Sequence, residues 1–279
     1  MKIPFNKMQG AGNDFIVINN QELGLSGEEL STLAKQICQR KRSVGSDALM
    51  ALDTPQAEGD FRMRFYNADG TEAEMCGNGA RCIARYAYEK GLATDTMTIE
   101  TVAGDVKAWR LDARRYKVQL NEPTHTHFDW DFSDDLDKTV TQVDYVELGD
   151  PAIPHLVIHY PALAEKNLAD LQDLAKKLRF WEKLPKGANV NFYDFMENGD
   201  VLVRTFERGV EDFTLACGTG SGSVAYALTE KKLTPQNPVV IQVLGGTLEV
   251  EVKDRELYLM GDTNIIIEGL ITDEDLPQQ

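Results

Sequence analysis

Apolar and polar residues alternate along the chain in patterns that predict short strands and amphipathic helices. A β-branched run at residues 15–18 predicts a buried strand, and alternation over residues 61–66 predicts a half-buried one. Helical spacing of apolar residues over 27–39 predicts a helix whose N-cap is Ser26, with Glu29 completing a capping box. Separate strands and helices of this kind are typical of an α+β fold.

The same succession of elements occurs a second time. In the first half, the strand at residues 61–66 leads to a cysteine turn, a helix near residues 79–90 and a hairpin. The second half has a strand, a helix and a further strand before its own cysteine turn, at residues 155–159, 168–178 and 201–206. The last apolar run, residues 264–271, has no counterpart in this repeat and is expected to return to the first domain.

Residue identities support the repeat. The sequence Cys-Gly-Asn-Gly at residues 76–79 corresponds to Cys-Gly-Thr-Gly at residues 217–220, an offset of 141 residues (217 − 76). The same offset relates Lys90 to Lys231. One cysteine at each equivalent turn suggests two thiols that face a common cleft.

We therefore predict two pseudo-symmetric domains, each a curved β-sheet wrapped around a central helix. The first comprises residues 1–120 with the C-terminal strand segment 264–279, and the second comprises residues 121–263. The stretch 121–138 is acidic, aromatic and turn-rich, and this shift in composition marks the expected junction.

Charge and hydropathy exclude several classes of function. A net charge of −16 argues against a nucleic-acid or anionic-membrane partner. No run of about 18 apolar residues is present, so no membrane-spanning helix is expected. The N-terminus lacks an apolar signal core, so a cytosolic protein is expected.

Cysteine and histidine spacing gives little indication of a metal site. No two of the cysteines form a C-x-x-C pair, which argues against structural zinc, and a cytosolic location argues against disulfides. Cys38 and Cys82 lie in helical apolar patterns and are expected to be buried. His125 and His127 flank Thr126, and a metal site there is the less favoured interpretation. No metal and no cofactor is expected.

Both cysteine turns are expected to favour a reactive thiolate. A C-G-x-G sequence between a strand and a helix places the sulfur beside unpaired backbone N–H groups, and the helix dipole favours negative charge there. The thiol pKa, about 8.5 when free, should therefore fall. One thiolate could remove a proton from the α-carbon of an amino acid while the other thiol returns a proton to the opposite face.

Two alternative interpretations apply to the same turns. Glycine-rich turns before helices often bind phosphate, but neither turn has the G-x-x-x-x-G-K-[ST] spacing or the dinucleotide-binding pattern. A lone glycine-flanked cysteine is more often structural than catalytic. Two cysteines at equivalent positions of a repeat favour the catalytic interpretation.

Five segments of the chain resemble the diaminopimelate epimerase family, a group of cofactor-independent two-cysteine epimerases of the lysine and peptidoglycan pathways. They are Q-G-A-G-N-D-F (9–15), N-A-D-G (67–70), C-G-N-G-A-R-C (76–82), E-R-G (207–209) and A-C-G-T-G (216–220). The similarity runs in order from residue 8 to about residue 271. Proline racemase-type enzymes share the two-cysteine logic, but the first and third segments fit diaminopimelate epimerase better.

The resemblance implies specific roles for residues at matching positions. It implies that Cys76 and Cys217 are the acid/base pair, with His155 supporting Cys76 and Glu207 supporting Cys217. The implied substrate ligands are Asn13, Asn67, Asn189, Glu207 and Arg208, together with backbone groups of Gly77, Asn78, Gly218 and Thr219. From the residues alone, Asn67 could be a turn residue, Arg208 a solvated surface arginine and His155 a satisfied core histidine.

The chain departs from the family pattern at three places. Ile153 stands where a substrate-binding asparagine is expected, Ala48 stands where many members have glutamine or glycine, and one extra residue lies between Glu207 and Cys217. Two other functions therefore stay open: racemisation of another amino acid such as histidine, and silent amino-acid binding. The sequence also leaves a homodimer open as the oligomeric state.

Overall fold

We describe residues 2–133, 137–272 and 274 of a computed structural model. The helices are α1 (Asn20–Leu23), α2 (Gly27–Ile37), α3 (Gly77–Glu89), α4 (Leu168–Arg179) and α5 (Gly218–Glu230). The strands are β1 (Ile3–Gly10), β2 (Asn13–Asn19), β3 (Ala48–Asp53), β4 (Phe61–Asn67), β5 (Glu72–Ala73), β6 (Thr96–Thr101), β7 (Gly104–Arg110), β8 (Arg115–Leu120), β9 (Pro123–Asp131), β10 (Gln142–Leu148), β11 (Ile153–His159), β12 (Asn189–Phe195), β13 (Val201–Glu207), β14 (Asp212–Phe213), β15 (Val239–Val243), β16 (Gly246–Lys253), β17 (Glu256–Asp262) and β18 (Asn264–Ile271).

The chain forms two compact units, one of residues 1–118 and 261–279 and the other of residues 119–260. The expected boundaries lay at 120/121 and 263/264, two or three residues further along the chain. The final strand, β18, belongs to the first unit. Residues 273 and 275–279 of the expected C-terminal segment lie outside the described residues.

In the first unit, strands pair in the order β18-β1-β2-β3-β4-β6-β7-β8, with the short β5 also on β4. The β2–β3 and β4–β6 pairs are parallel and the others are antiparallel. All residues of β3 except the last are buried, because helices cover both faces of the sheet. The amphipathic α2 packs on one face, and α3 packs on the other.

The second unit repeats this ladder in its own residues, in the order β9-β10-β11-β12-β13-β15-β16-β17. Its parallel pairs, β11–β12 and β13–β15, occupy the same places in the order as those of the first unit. Helix α4 packs against β12 and β13, and α5 packs against β10, β11, β12 and β16. The fold is α+β with a repeated topology.

One expectation about the strands was wrong, and one strand was not expected. The acidic stretch 121–138 was expected to mark the junction, and the division between the units lies just before it, at residues 118/119. Within this stretch Pro123–Asp131 forms strand β9, because its backbone pairs with β10 whatever its side-chain polarity. The terminal strand β18 was expected to have no counterpart. It pairs with β1 as β9 pairs with β10, so the two edge strands correspond although they stand at opposite ends of their repeats in sequence. Residues 134–136 of the expected junction lie outside the described residues.

The central helices α3 and α5 are buried almost all round, with ten of thirteen residues buried in each. Small residues allow this close packing. A Cβ atom added at Gly79 would lie 2.9 Å from the Met50 sulfur, and one at Gly220 would lie 2.3 Å from Asn191 Oδ1. The amphipathic α2 begins as the sequence predicts, because Ser26 and Glu29 form a reciprocal capping box.

Equivalent lysines end the two central helices in different surroundings. Lys231 Nζ lies 2.7 Å from Asp129 Oδ1 and 2.9 Å from Asp144 Oδ2, and the Asp144 side chain is only 7% exposed. Lys90 Nζ lies 3.4 Å from Glu268 Oε1, and the two side chains are 41% and 60% exposed. The Lys231 pair therefore compensates a buried carboxylate, whereas the Lys90 pair is screened by water.

We expect Lys231→Met to lower the free energy of unfolding by about 3 kcal/mol, because it leaves the Asp144 carboxylate buried without its cation. Lys90→Met, the matched control, should change it by less than about 1 kcal/mol. Urea unfolding at neutral pH measures both changes. Equal losses in the two variants would show that burial of Asp144 does not govern the contribution of Lys231.

Candidate active site

Cys76 is the N-cap of α3. Its backbone is extended, with φ −135° and ψ 119°, and its carbonyl accepts the first helical hydrogen bond from Ala80 N at 2.7 Å. Gly77 is the first helical residue and is buried, whereas Cys76 is half-buried. The sulfur therefore stands at the positive end of a helix dipole, where a thiolate is stabilised.

Cys217 occupies the corresponding position at α5, with φ −125° and ψ 113°. Its Sγ accepts a hydrogen bond from Gly220 N at 3.4 Å and lies 3.5 Å from Thr219 Oγ1. Gly218 begins the helix. Cys217 is 7% exposed, so it is more buried than Cys76. A backbone donor directed at sulfur favours the charged form of the thiol.

The Asn78 side chain is held beneath the first cysteine turn. Its Nδ2 donates to Asn13 Oδ1 at 2.7 Å, and its Oδ1 accepts from Arg81 Nη2 at 2.6 Å. Asn78 and Arg81 are buried, while Asn13 is half-buried at the start of β2. The structure thus brings two of the predicted ligand residues, Asn13 and Asn78, into direct contact.

Asn67 ends β4 and is exposed. Its Nδ2 donates to Thr71 Oγ1 at 3.0 Å, and its backbone N–H donates to Thr71 O at 2.9 Å. These bonds close the turn that leads to the cysteine. The turn role of Asn67 is therefore evident, and its role as a substrate ligand stays a prediction.

His155 lies in β11, fully buried, and contacts the Asn191 amide of the neighbouring strand. Asn191 Oδ1 accepts from Thr205 Oγ1 at 2.9 Å and its Nδ2 donates to Leu156 O at 2.8 Å, which fixes the orientation of the amide. The same Nδ2 lies 3.3 Å from His155 Nδ1. Nδ1 is therefore the acceptor, and the proton of the neutral ring resides on Nε2.

Burial lowers the pKa of His155 to about 3, with a smaller contribution from the positive charge of Arg208. The imidazole is consequently neutral at physiological pH. Within the described residues, Nε2 has no hydrogen-bond partner. His155 is thus neither exposed nor a fully satisfied core histidine.

Asn189 joins the ends of two strands that carry predicted site residues. Its Oδ1 accepts from Arg208 N at 2.8 Å, and its Nδ2 donates to Pro154 O at 3.3 Å. Glu207, the last residue of β13, and Arg208 are both half-buried. Asn189 therefore places Arg208 beside His155, although it does so through hydrogen bonds to the backbone.

No group of three or more potential ligands suited to a metal ion occurs among residues 2–133, 137–272 and 274. His125 and His127 instead make ring contacts with Tyr145 and Trp130, respectively. In the same part of the chain, every helix is too short or too polar to cross a membrane.

A family model described as diaminopimelate epimerase matches residues 5–126 and 150–266. The chain belongs to the diaminopimelate epimerase family. A diaminopimelate epimerase of Hydrogenobaculum sp. is 36% identical over 96% of this chain and 98% of its own length. One of Aquifex aeolicus is 35% identical over 98% of this chain and 99% of its own length.

The fold of the chain is also found outside this family. A phenazine biosynthesis protein of the PhzF family from Bacillus anthracis superposes with a TM-score of 0.72, covering 98% of this chain and 99% of its own, at 17% identity. At this identity the likeness concerns the fold alone.

The departures from the diaminopimelate epimerase pattern lie at distinct places in the fold. Ile153 is half-buried at the start of β11, and Ala48 is buried at the start of β3. In the loop between Glu207 and Cys217, where the extra residue is expected, the Glu211 carboxylate accepts from Gly209 N at 3.0 Å and from Arg179 Nη2 at 2.8 Å. An arginine of α4 thus holds this loop in place.

Three buried polar residues that hold the surroundings of the cysteine turns were not among the predicted site residues: Arg81 in the first unit, and Asn191 and Arg179 in the second. Arg81 lies inside the first cysteine motif, and Asn191 follows Asn189 by two positions, which places both asparagines on one face of a strand. These signals were present, but the partners that give them meaning lie on other elements.

We expect His155 to make stability depend on pH. Its folded pKa of about 3 lies below the value of 6.5 for an unperturbed histidine, so the unfolded chain binds its proton first as pH falls. The contribution of neutral His155 is fully present above pH 6.5 and is lost as the pH falls toward 3. As the pH falls, the free energy of unfolding of His155→Gln should therefore decline less steeply than that of the unaltered protein. The two slopes should differ by up to about 1.4 kcal/mol per pH unit. Parallel curves from denaturant unfolding of the two proteins between pH 7 and 4 would contradict this.

Proposed function

We propose that this protein interconverts LL- and meso-diaminopimelate by moving a proton at one α-carbon between two cysteines. The observation that carries the proposal is the presence of a cysteine at the N-cap of the central helix in both repeats, in a chain whose relatives are named diaminopimelate epimerases. A cysteine at a helix N-terminus is disposed to act as a thiolate near neutral pH.

In this mechanism, one thiolate removes the α-proton and becomes a thiol. The other cysteine, starting as a thiol, gives its proton to the opposite face of the α-carbon and becomes the thiolate. The roles are exchanged in the reverse reaction, as microscopic reversibility requires. The N–H groups of Gly77 and Asn78, and those of Gly218 and Thr219, would hold the α-carboxylate and stabilise the charge that spreads onto it.

Residues of the second unit are proposed to support the proton transfer and to select the substrate. Neutral His155 would support Cys76, and Glu207 would support Cys217. Arg208 would bind the distal carboxylate through its planar guanidinium, which suits bidentate pairing. Its backbone is already held by Asn189, so little of its main-chain freedom has to be lost on binding.

Asn13 and Asn67 of the first unit are proposed as further ligands of the substrate. The Asn13 side chain accepts from Asn78 and lies 3.4 Å from Asp47 Oδ2 through its Nδ2, so its amide has a defined orientation.

We also propose that the protein acts in the cytosol on a small molecule. Light scattering distinguishes a monomer from a homodimer.

Two competing functions make different predictions. A racemase of another amino acid would invert L-histidine or a similar substrate, and a silent binding protein would bind without any exchange at the α-carbon. Incubation of LL-diaminopimelate and a panel of L-amino acids in heavy water separates the three. Deuterium at the α-carbon of diaminopimelate together with formation of the meso isomer is expected, and exchange confined to another amino acid would refute the assigned substrate.

We expect Cys76→Ala and Cys217→Ala each to lower kcat on the order of 10³-fold or more, because each removes one of the two proton carriers. Cys38→Ala is the control, since Cys38 is buried against Ser46 away from the cysteine turns and should leave kcat unchanged. Circular dichroism confirms that the variants fold. Full turnover in either site variant would refute the two-thiol mechanism.

We expect Arg208→Lys to raise KM for diaminopimelate about tenfold or more, because an ammonium group cannot reproduce bidentate pairing with a carboxylate. Arg114→Lys, at an arginine with a 54% exposed side chain, should leave KM unchanged. Steady-state kinetics over a range of substrate concentrations measure both. An unchanged KM in Arg208→Lys would remove this residue from the substrate site.

A further inference from the structure

The two central helices differ in charge at one equivalent position. Offset by 141 residues, Arg81 of α3 corresponds to Gly222 of α5 (81 + 141 = 222). Each lies five positions after its cysteine, and both are buried. One cysteine helix therefore carries an internal cation at a position where the other has no side chain.

Arg81 is fully buried. Its Nη2 donates to Asn78 Oδ1 at 2.6 Å and its Nη1 donates to Asp262 O at 3.2 Å, so both partners are neutral groups. Nε has no hydrogen-bond partner among the described residues. A cation in this position is held by dipoles, whereas buried charges are normally paired with an opposite charge.

Few groups are available to balance this charge. In the described part of the chain, Arg81 forms no ion pair with a carboxylate. The titratable groups that act on it are Cys76 and Cys82 of α3 and Asp262 of β17. The Asp262 side chain is 58% exposed and lies 3.7 Å from Arg114, so water screens its charge.

Cys82 does not supply the missing anion. Burial raises its pKa to about 12, although Arg81 and Arg85 act in the opposite direction. Burial also lowers the pKa of Arg81, which is the expected response of an incompletely compensated cation. Cys76 is half-buried at the N-terminus of the same helix and is the remaining group that can carry a compensating negative charge.

The equivalent position in the second unit has apolar surroundings. A Cβ atom added at Gly222 would lie 2.8 Å from Leu120 Cδ1, with Leu257 and Leu148 also within 4 Å. Cys217 has the helix dipole and the Gly220 N–H, but leucine side chains surround the position of α5 that corresponds to Arg81 of α3. The two thiols thus stand in similar backbone settings and different fields.

We propose that Arg81 holds Cys76 as the thiolate in the resting protein while Cys217 carries the proton, so that one buried cation breaks the symmetry of the pair. This proposal rests on the proposed function. A first turnover then moves a proton from the substrate to Cys76 and the Cys217 proton to the product, which leaves Cys76 as the thiol. Return to the resting form needs only a net proton transfer from Cys76 to Cys217.

The test measures the ionisation of each thiol without turnover. Cys217→Ala retains Cys76, and Cys76→Ala retains Cys217; each is treated with iodoacetamide from pH 5 to 10, and peptide mapping gives the alkylation rate at the remaining site cysteine. We expect the Cys76 pKa to lie at least about one unit below that of Cys217, a tenfold difference in the ionisation constant.

Adding Arg81→Met to Cys217→Ala should raise the Cys76 pKa by about one unit or more, and Arg81→Lys should restore much of the difference. Adding Arg81→Met to Cys76→Ala should leave the Cys217 pKa unchanged. Arg85→Met is the matched control, because Arg85 lies one turn further from Cys76 on the same helix and binds Thr263 O. Arg85→Met should shift the Cys76 pKa much less than Arg81→Met does.

Equal pKa values for Cys76 and Cys217 in the presence of Arg81 would overturn the proposal, and this comparison stands even if Arg81→Met does not fold. An unchanged Cys76 pKa in folded Arg81→Met would overturn it as well, and so would a Cys76 pKa in Arg81→Lys that is raised as far as in Arg81→Met. Because alkylation needs no substrate, these outcomes are independent of whether diaminopimelate is epimerised. If the pKa values of Cys76 and Cys217 differ as expected but the protein does not epimerise diaminopimelate, that result would count against the proposed function alone.

Discussion

The enclosure of a helix by a curved sheet is the constraint on which the rest of this structure depends. In each unit the central helix is buried on almost every side, so its residues must be small wherever a neighbouring side chain approaches the helix backbone closely. The glycines at 79, 220 and 222 meet this requirement where an added Cβ would approach sulfur, amide or methyl atoms closely. Because the sides of the helix are buried, its polar N-terminus is the part that faces the loops, and the cysteine lies at this N-terminus.

Burying such a helix also leaves polar groups beneath it that must be satisfied. The two units solve this problem differently. Under α3, Asn78 links Asn13 to the guanidinium of Arg81. In the second unit, the neutral Asn191 amide joins Thr205, Leu156 O and His155, and an added Cβ at Gly220 would strike it. The two units therefore share one topology, but the hydrogen-bond network of the first contains a charged residue and that of the second is neutral. The chemistry of two equivalent cysteines can differ for this reason.

Much of the fold was predictable because its signals are local. The capping box at Ser26 and Glu29, the alternation in β4 and the cysteine turns all depend on near neighbours in sequence. The expected burial of Cys38 and Cys82 was confirmed, since helical periodicity reports which face of a helix is apolar. Strand β9 was missed because its residues are mostly polar and exposed, and its strand conformation comes from pairing with β10.

By itself, the sequence determined the duplication, the two cysteines at equivalent turns and the family, because identity and spacing of residues are sufficient for these. It also led to the residues that are proposed to bind substrate. Only the tertiary structure decided which strand corresponds to β18, which ring nitrogen of His155 carries the proton, and that the Arg81 guanidinium is buried without a carboxylate partner among the described residues. Each of these depends on a partner distant in the chain, such as β1, Asn191 or Asp262, whose contact no local pattern encodes.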